Sequence, residues 1–444
     1  MATTLERGAR SLRYPNDIDP VLGYAPGRIL TDDLMDYRSE QVAEAVLLHR
    51  YRTHGLAGIH NVMMLVDNCR VPDYFKGAEY EERYLSQKLS EERLDRLAKV
   101  HLGGDESFRT LAFNRTTAAN LTLILALVRK GSVVPYLVVP YRKPGVLKGH
   151  GHPSIPRAVE LAQAETRIVT TAPELRALVD AGNVSLITIC ASYRGILDVE
   201  TLKAACDLGR TRGIPVFVDD ASGARLRTIG ERQPTAIELG ADLVVTSTEK
   251  YGLTGPRAGL VVGRQPLMER IGAKSAVLGT EARPSVVASI VRCLEEFTHE
   301  GGQAVYAEWE RRHQELYEVA VPVFGDRVFW KGYGGVSIMV EDIMELAMER
   351  AGLEESEWAP VDISTAVAMV LLRRYGYMTI PALHYPGASK SLMIHLAQPS
   401  AQTLAPKEIV AALDDAFTTV ARIMRSREKL GVLLFGPPDA PIPD

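Results

Sequence analysis

A chain of 444 residues, 46% hydrophobic and 24% charged, holds enough apolar material for one large domain and a smaller one. Its formal net charge of −4 argues against nucleic acid or an anionic membrane as partner, and no apolar run reaches the length of a membrane span. Cys69, Cys190, Cys206 and Cys293 show no paired spacing, which argues against a disulfide framework or a zinc ribbon, and MATTLERGARSLRY has no apolar core; the expectation is a cytoplasmic protein.

Along the chain, a helix is predicted near Glu40 to Arg52, followed by a glycine-bearing turn, GLAGIHN. There His60 and Asn61 either shape the turn or reach a substrate. A second helix is expected from Tyr80 to Leu102, stopped by Gly103 and Gly104. The strand Phe108 to Phe113 then runs into NRTTAANLTLILALVRKG, read as a turn over Asn114 to Thr117 and an apolar helix over Ala118 to Arg129. Arg115, Thr116 and Thr117 at that helix start make either an anion cradle or a plain N-cap.

After a strand at Val134 to Pro140, the loop YRKPGVLKGHGHPSIPRA carries His150 and His152, of which His152, before Pro153 and a helix, is better placed to stack on a ring. Strands at Arg167 to Thr170 and Ser185 to Cys190 alternate with helices at Ala172 to Ala181 and Asp198 to Arg212. The latter strand ends in ASYRGIL, which sets Ser192, Tyr193 and Arg194 at a carboxyl end, where open α/β sheets bind ligands. The strand Ile214 to Val218 stops at Asp219 and Asp220. Asp219 is the preferred site residue of the two, since Asp220 points the other way if the pleat continues.

A helix near Thr235 to Leu239 leads to ADLVVTSTEKYGLTGPRAGLVVG. Two β-branched runs, Ala241 to Val245 and Ala258 to Val262, flank a polar loop holding Lys250. A lone loop lysine is ordinarily just solvated. Hydroxyls immediately before a lysine, between buried strands, are what a pyridoxal 5′-phosphate (PLP) Schiff-base site requires: the amine attacks the aldehyde and the hydroxyls help hold the phosphate. A carboxylate such as Asp219 then pairs with the pyridine nitrogen. Beyond Gly263, helices are expected at Pro266 to Ile271, Ser285 to Thr298, Gln303 to Val321, Thr365 to Tyr375 and Lys407 to Arg425, with strands at Val336 to Val340 and Ser391 to Leu396. The organisation expected is an N-terminal segment (1–75) packing with a small α+β domain (301–435), a large domain (76–300) built on a mostly parallel seven-stranded sheet, and a proline-rich tail (436–444).

NRTTAA, GHPS, SYRG, VFVDD and STEKYGLTGPRAG occur in the order found in fold-type I PLP enzymes, and resemble most the branch around bacterial selenocysteine synthase and its archaeal relatives of unassigned function. The lysine pattern of that branch, S-[TG]-D-K-x-x-x-G-P-[RQ]-[AG]-G, is matched except that Glu249 replaces the aspartate and four residues, not three, separate Lys250 from Gly255-Pro256. The resemblance covers roughly residues 100 to 300. It implies Lys250 as the Schiff-base lysine, Asp219 on the pyridine nitrogen, His152 on the ring, and Thr116, Thr117 and Ser247 near the phosphate. It also implies a homodimer or larger assembly, with Gly279 and Thr280 reaching the partner's phosphate site. The N-terminal region shows no basic cluster suited to tRNA and is carboxylate-rich from Glu79 to Glu92. For the substrate carboxylate, SLMIHLAQ offers His395 where many aminotransferases carry an arginine; Arg194, Arg225, Arg257 and Arg283 are the other candidates. Tyr193 and Tyr251 are candidates for polarising a leaving group. The expected reaction is β-elimination or β-replacement on a cysteine S-conjugate (a C–S lyase) or a serine-derived amino acid. The alternatives are an aminotransferase or decarboxylating oxidative deaminase, a tRNA-dependent selenium transferase-like enzyme, and a non-catalytic relative.

Overall fold

In a computed structural model describing residues 13–16, 25–63, 68–142, 148–149, 151–192, 195–330, 335–383 and 390–444, the chain divides into two units, residues 65–307 and residues 1–64 with 308–444. The first unit is built on seven strands: β1 (Phe108–Phe113), β2 (Val133–Val138), β3 (Glu165–Val169), β4 (Ile187–Cys190), β5 (Val216–Asp219), β6 (Leu243–Ser247) and β7 (Gly259–Arg264). They form a single sheet in the order β1-β7-β6-β5-β4-β2-β3. Only β7 runs antiparallel to its neighbours, so the mostly parallel seven-stranded sheet expected from the alternation of strands and helices is what the protein has.

The pleat sorts the strand residues into two cores. Val216 and Val218, Val244, Leu260 and Val262 face one side, packed beneath the helices Arg83–Leu102, Val199–Arg212 and Pro284–Glu296. Phe217, Leu243, Val245 and Val261 face the other, under Thr116–Leu127, Ser154–Leu161 and Gln265–Leu278. By this alternation Asp219 shares the face of Phe217 and the helix Thr116–Leu127, while Asp220 turns away to pair with the buried Arg227 (3.4 Å).

The order of strands reverses between β2 and β4, because β3 lies outside β2 and β4 lies on its other side. A crevice at the carboxyl ends is the consequence. Registers Phe113↔Gly259 and Ser247↔Gly259 bring the end of β1, the start of β7 and the end of β6 to this same edge. Two expectations need correction here. Thr116 and Thr117 are the first residues of the helix, with Arg115 as the extended N-cap residue, rather than part of a turn. The segment expected as a helix near Thr235 to Leu239 is one hydrogen-bonded turn: Thr235 and Glu238 cap each other, but Gly240, at φ +103°, ends the turn before a second can form.

The second unit has an antiparallel sheet ordered Ser391–Ile394, Val336–Met339, Val328–Phe329, with the helices Val340–Ala351, Pro360–Val370 and Pro406–Ile423 packed together. A buried carboxylate, Asp362, ties the early chain to this unit by accepting the backbone N–H groups of Arg28 (2.8 Å), Ile29 (3.0 Å), Leu30 (3.0 Å) and Ala359 (3.0 Å). No helix among the described residues is long and apolar enough to cross a membrane.

Candidate active site

Asp219 closes β5 with its carboxylate buried. One oxygen accepts from Asn120 Nδ2 (3.0 Å), which reaches it from the helix Thr116–Leu127, and the other from the Ala221 N–H (3.3 Å). Burial pushes the carboxyl up to about 6, against the pull of these donors and of the Lys250 charge. Asn120 Nδ2 also donates to Ser154 Oγ (2.9 Å), and Ser154 Oγ lies 2.8 Å from His152 Nδ1. Tyr136 donates to the His152 carbonyl (3.2 Å). Burial, with the charges of Lys250, Arg157 and Arg115, holds His152 down to about 3, so its ring is neutral at physiological pH.

Lys250 follows β6 in a loop clamped on several sides. Arg225, fully buried, donates from Nε to the Lys250 carbonyl (3.0 Å), from Nη2 to the Ser247 carbonyl (2.8 Å) and from Nη1 to Thr246 Oγ1 (3.1 Å). Arg292 donates to the Thr254 carbonyl (2.6 Å), and the Gly255 N–H to the Thr248 carbonyl (2.9 Å). Tyr251, next to the lysine, is buried and sits at φ +49°, a left-handed conformation that a non-glycine residue adopts at a penalty. Burial lowers the Lys250 ammonium below the usual lysine range, opposed by the carboxylates of Glu249 and Asp219. Glu249 is itself raised by burial, and its Oε2 has no hydrogen-bond partner among the described residues.

The third part is the start of the helix Thr116–Leu127, which no side chain caps; Thr116 and Thr117 are half-buried there. An uncapped first turn presents N–H groups and the positive end of the helix dipole. The helix lies so near β7 that a Cβ on Gly259 would come within 2.9 Å of Thr116 Cα and 3.0 Å of Thr116 N.

Comparison with known proteins fits this arrangement. Residues 335–405 match the UPF0425 C-terminal domain. The chain is 32% identical over 416 residues to a UPF0425 pyridoxal phosphate-dependent protein of Methanothermobacter thermautotrophicus, covering 92% of this chain and 100% of that relative. A protein of the same description from Methanosphaera stadtmanae is 30% identical over 354 residues, covering 79% and 86%. This chain belongs to the UPF0425 pyridoxal phosphate-dependent proteins.

For this UPF0425 family member, solved structures show the fold. N-succinyldiaminopimelate aminotransferase from Mycobacterium tuberculosis superposes with a TM-score of 0.53 at 16% identity, covering 87% of this chain and 98% of that one. A chain of the SepCysS–SepCysE N-terminal domain complex gives a TM-score of 0.53 at 14% identity, covering 84% and 98%. The expected fold-type I architecture and the expected likeness to archaeal proteins are both met. The donor set suits PLP: a desolvated amine, a buried carboxylate, a neutral imidazole and an uncapped helix start.

The remaining expected residues of this UPF0425 protein fall in several places. Tyr193, Arg194 and His150 lie outside the described residues. Ser192 is buried just beyond β4 and bridges to Ile196. Ser247 ends β6, with its hydroxyl donated to the Ala221 carbonyl (2.6 Å). Gly279 is the exposed left-handed C-cap of Gln265–Leu278, and the Thr280 hydroxyl engages Thr122 (2.7 Å) and Ser275 (3.1 Å). Arg283 is exposed ahead of the helix Pro284–Glu296, and Arg257 is half-buried within the electrostatic reach of Lys250. Arg225 is not a carboxylate clamp, since its guanidinium is committed to the lysine loop. In the other unit, the Asn61 N–H donates to Ser400 Oγ (2.9 Å) and its side chain accepts from the Met63 N–H (2.9 Å). His395 was a candidate for the substrate carboxylate, but it is fully buried, edge-on to Trp309 (5.1 Å) and His313 (4.7 Å), and burial keeps it neutral; its setting is that of a core residue. Asn120 and Ser154 were missed as site residues, although NRTTAAN and GHPS contain them. An asparagine in a run as apolar as AANLTLILAL was the available signal.

Proposed function

We propose that this protein is a PLP-dependent enzyme that removes or replaces the β-substituent of an amino acid, either a cysteine S-conjugate or a serine-derived substrate. The observation supporting cofactor chemistry is the grouping of Lys250, Asp219 and His152 about the carboxyl ends of β2, β5 and β6. PLP, when bound, supplies an electron sink for charge developing at the substrate Cα. Lys250 Nζ, held in a desolvated loop, would hold the cofactor through its aldehyde and is the group placed to move the substrate Cα proton. Asp219 would pair with the pyridine nitrogen, and His152, neutral in its buried setting, would add no charge beside the ring. The amides at Thr116 and Thr117 would bind the phosphate, with Arg115 beside them; the Ser247 hydroxyl, expected there, is committed to the Ala221 carbonyl. Arg257 is the proposed clamp for the substrate carboxylate. Tyr251, held beside Lys250 in a strained conformation, is the proposed acid for the leaving group. The likeness of STEKYGLTGPRAG to the selenocysteine synthase lysine motif favours loss of a β-substituent over transfer of the amino group. The proposed enzyme is a cytoplasmic homodimer acting on a small amino-acid-like molecule; the net charge of −4 supports only the absence of nucleic acid from that reading.

The test is to offer the PLP-loaded protein a panel of amino acids that includes cysteine S-conjugates and O-substituted serines. The expected products are pyruvate and ammonia with the released thiol or alcohol, or a β-substituted amino acid when a second nucleophile is supplied. A keto acid that retains the β-substituent would instead establish an aminotransferase, and release of carbon dioxide a decarboxylating enzyme.

A further inference from the structure

Hydrogen bonding around Asn120 fixes more than its own position. The two protons on its Nδ2 go to Asp219 Oδ2 (3.0 Å) and Ser154 Oγ (2.9 Å). Having accepted there, Ser154 Oγ has one proton to give, and its near neighbour is His152 Nδ1 (2.8 Å). The Ser154 N–H points at the same Nδ1 (3.3 Å), so Nδ1 is an acceptor and the ring proton sits on Nε2. The chain closes in one direction only, from an amide donating to an ionised Asp219 at one end to a bare Nδ1 at the other. Asn120 is 1% exposed, and its Oδ1 has no partner among the described residues. A leucine, branched at the same atom, would place no unpaired acceptor in this buried position, so apolar burial does not explain an asparagine here.

We propose that Asn120 and Ser154 are positioning residues that set, through one hydrogen-bonded chain, the ionised state of Asp219 and the Nε2-protonated tautomer of His152. This rests on the reading that Asp219 and His152 face bound PLP, and it adds the residues that fix their protonation states. Asn120→Leu removes the donor to Asp219, whose burial already favours the neutral acid, so the carboxyl rises further. Ser154→Ala removes the hydroxyl donor to His152, keeps the backbone N–H there, and leaves the Asn120 to Asp219 bond in place.

Two measurements separate this proposal from that reading. In the unloaded wild-type protein, nitrogen-15 NMR of labelled histidine is expected to show His152 as a neutral ring with its proton on Nε2; Ser154→Ala, which loses the hydroxyl donor but keeps the backbone N–H at Nδ1 (3.3 Å), is expected to raise the Nδ1-protonated fraction measurably without abolishing the Nε2-protonated form. In the PLP-loaded protein, the midpoint of the pH titration of the visible absorption band is expected to shift by a unit or more in Asn120→Leu and by far less in Ser154→Ala. Asn120→Ser, smaller and still polar, serves if the leucine variant fails to fold, with the same expected direction. A His152 proton on Nδ1 in the wild-type protein, or an unmoved midpoint in a folded Asn120 variant, overturns the proposal. A wild-type protein that acquires no visible band refutes the cofactor reading instead, and the NMR result still decides the tautomer.

Discussion

Asp219 is where chemistry and stability oppose each other. Burial raises its carboxyl from 3.8 to about 6 in the unloaded protein. The folded state therefore holds this proton more tightly than the unfolded chain, and the stabilisation is complete below the unfolded value and lost as pH climbs through about 6. A shift of that size corresponds to roughly 3 kcal/mol at neutral pH. Asp219→Asn in the unloaded protein is expected to be more stable than the parent at pH 7.5, by up to about 3 kcal/mol, with the gap narrowing towards pH 4.5. Urea denaturation at the two pH values measures this, and equal stabilities at both would show that the carboxylate carries no such penalty. Asp219 and Lys250 were legible in the sequence because each follows a short β-branched run that a parallel sheet must bury. Asn120 was not, since its partner lies 99 positions away and only the folded helix brings the two together. His395 misled for the opposite reason, because a late strand names a position without saying whether its side chain faces a substrate or the core.

At the level of elements, the start of the helix Thr116–Leu127 depends on the residue that faces it. Gly259 leaves no room for a side chain, as an added Cβ would meet backbone atoms of Arg115 and Thr116 at 2.9 to 3.0 Å. Backbone cannot swing aside as a long side chain can, so Gly259→Ala is expected to push the helix start away from the phosphate position. PLP binding should weaken by about tenfold or more, which is about 1.4 kcal/mol, in a variant that still folds; equilibrium dialysis or fluorescence titration measures it. Unchanged affinity would place the phosphate elsewhere. This contact could not be anticipated from GPRAG alone, where Gly259 reads as an ordinary residue of the strand Ala258 to Val262. Boundaries were obscured in the same way wherever elements abut. The strand expected to run through Val340 ends at Met339, and a helix begins at Val340 with no turn residue between them to mark the change.

For the whole molecule, alternation of buried strands and helices was enough to indicate a mostly parallel sheet, because period-two burial on both faces leaves little else for such runs to become. What the alternation did not reveal was that β1, first in sequence, lies at the far edge against β7. That pairing joins segments about 150 residues apart and sets the helix start beside the lysine loop, which turns scattered motifs into one site. The claim on which the rest depends is that Lys250, and no other lysine, carries the cofactor. Unloaded protein incubated with PLP, reduced with borohydride, digested and mapped by mass spectrometry should show the reduced cofactor on the peptide containing Lys250, and none there in Lys250→Ala. Labelling spread over surface lysines with Lys250 unmodified would contradict it.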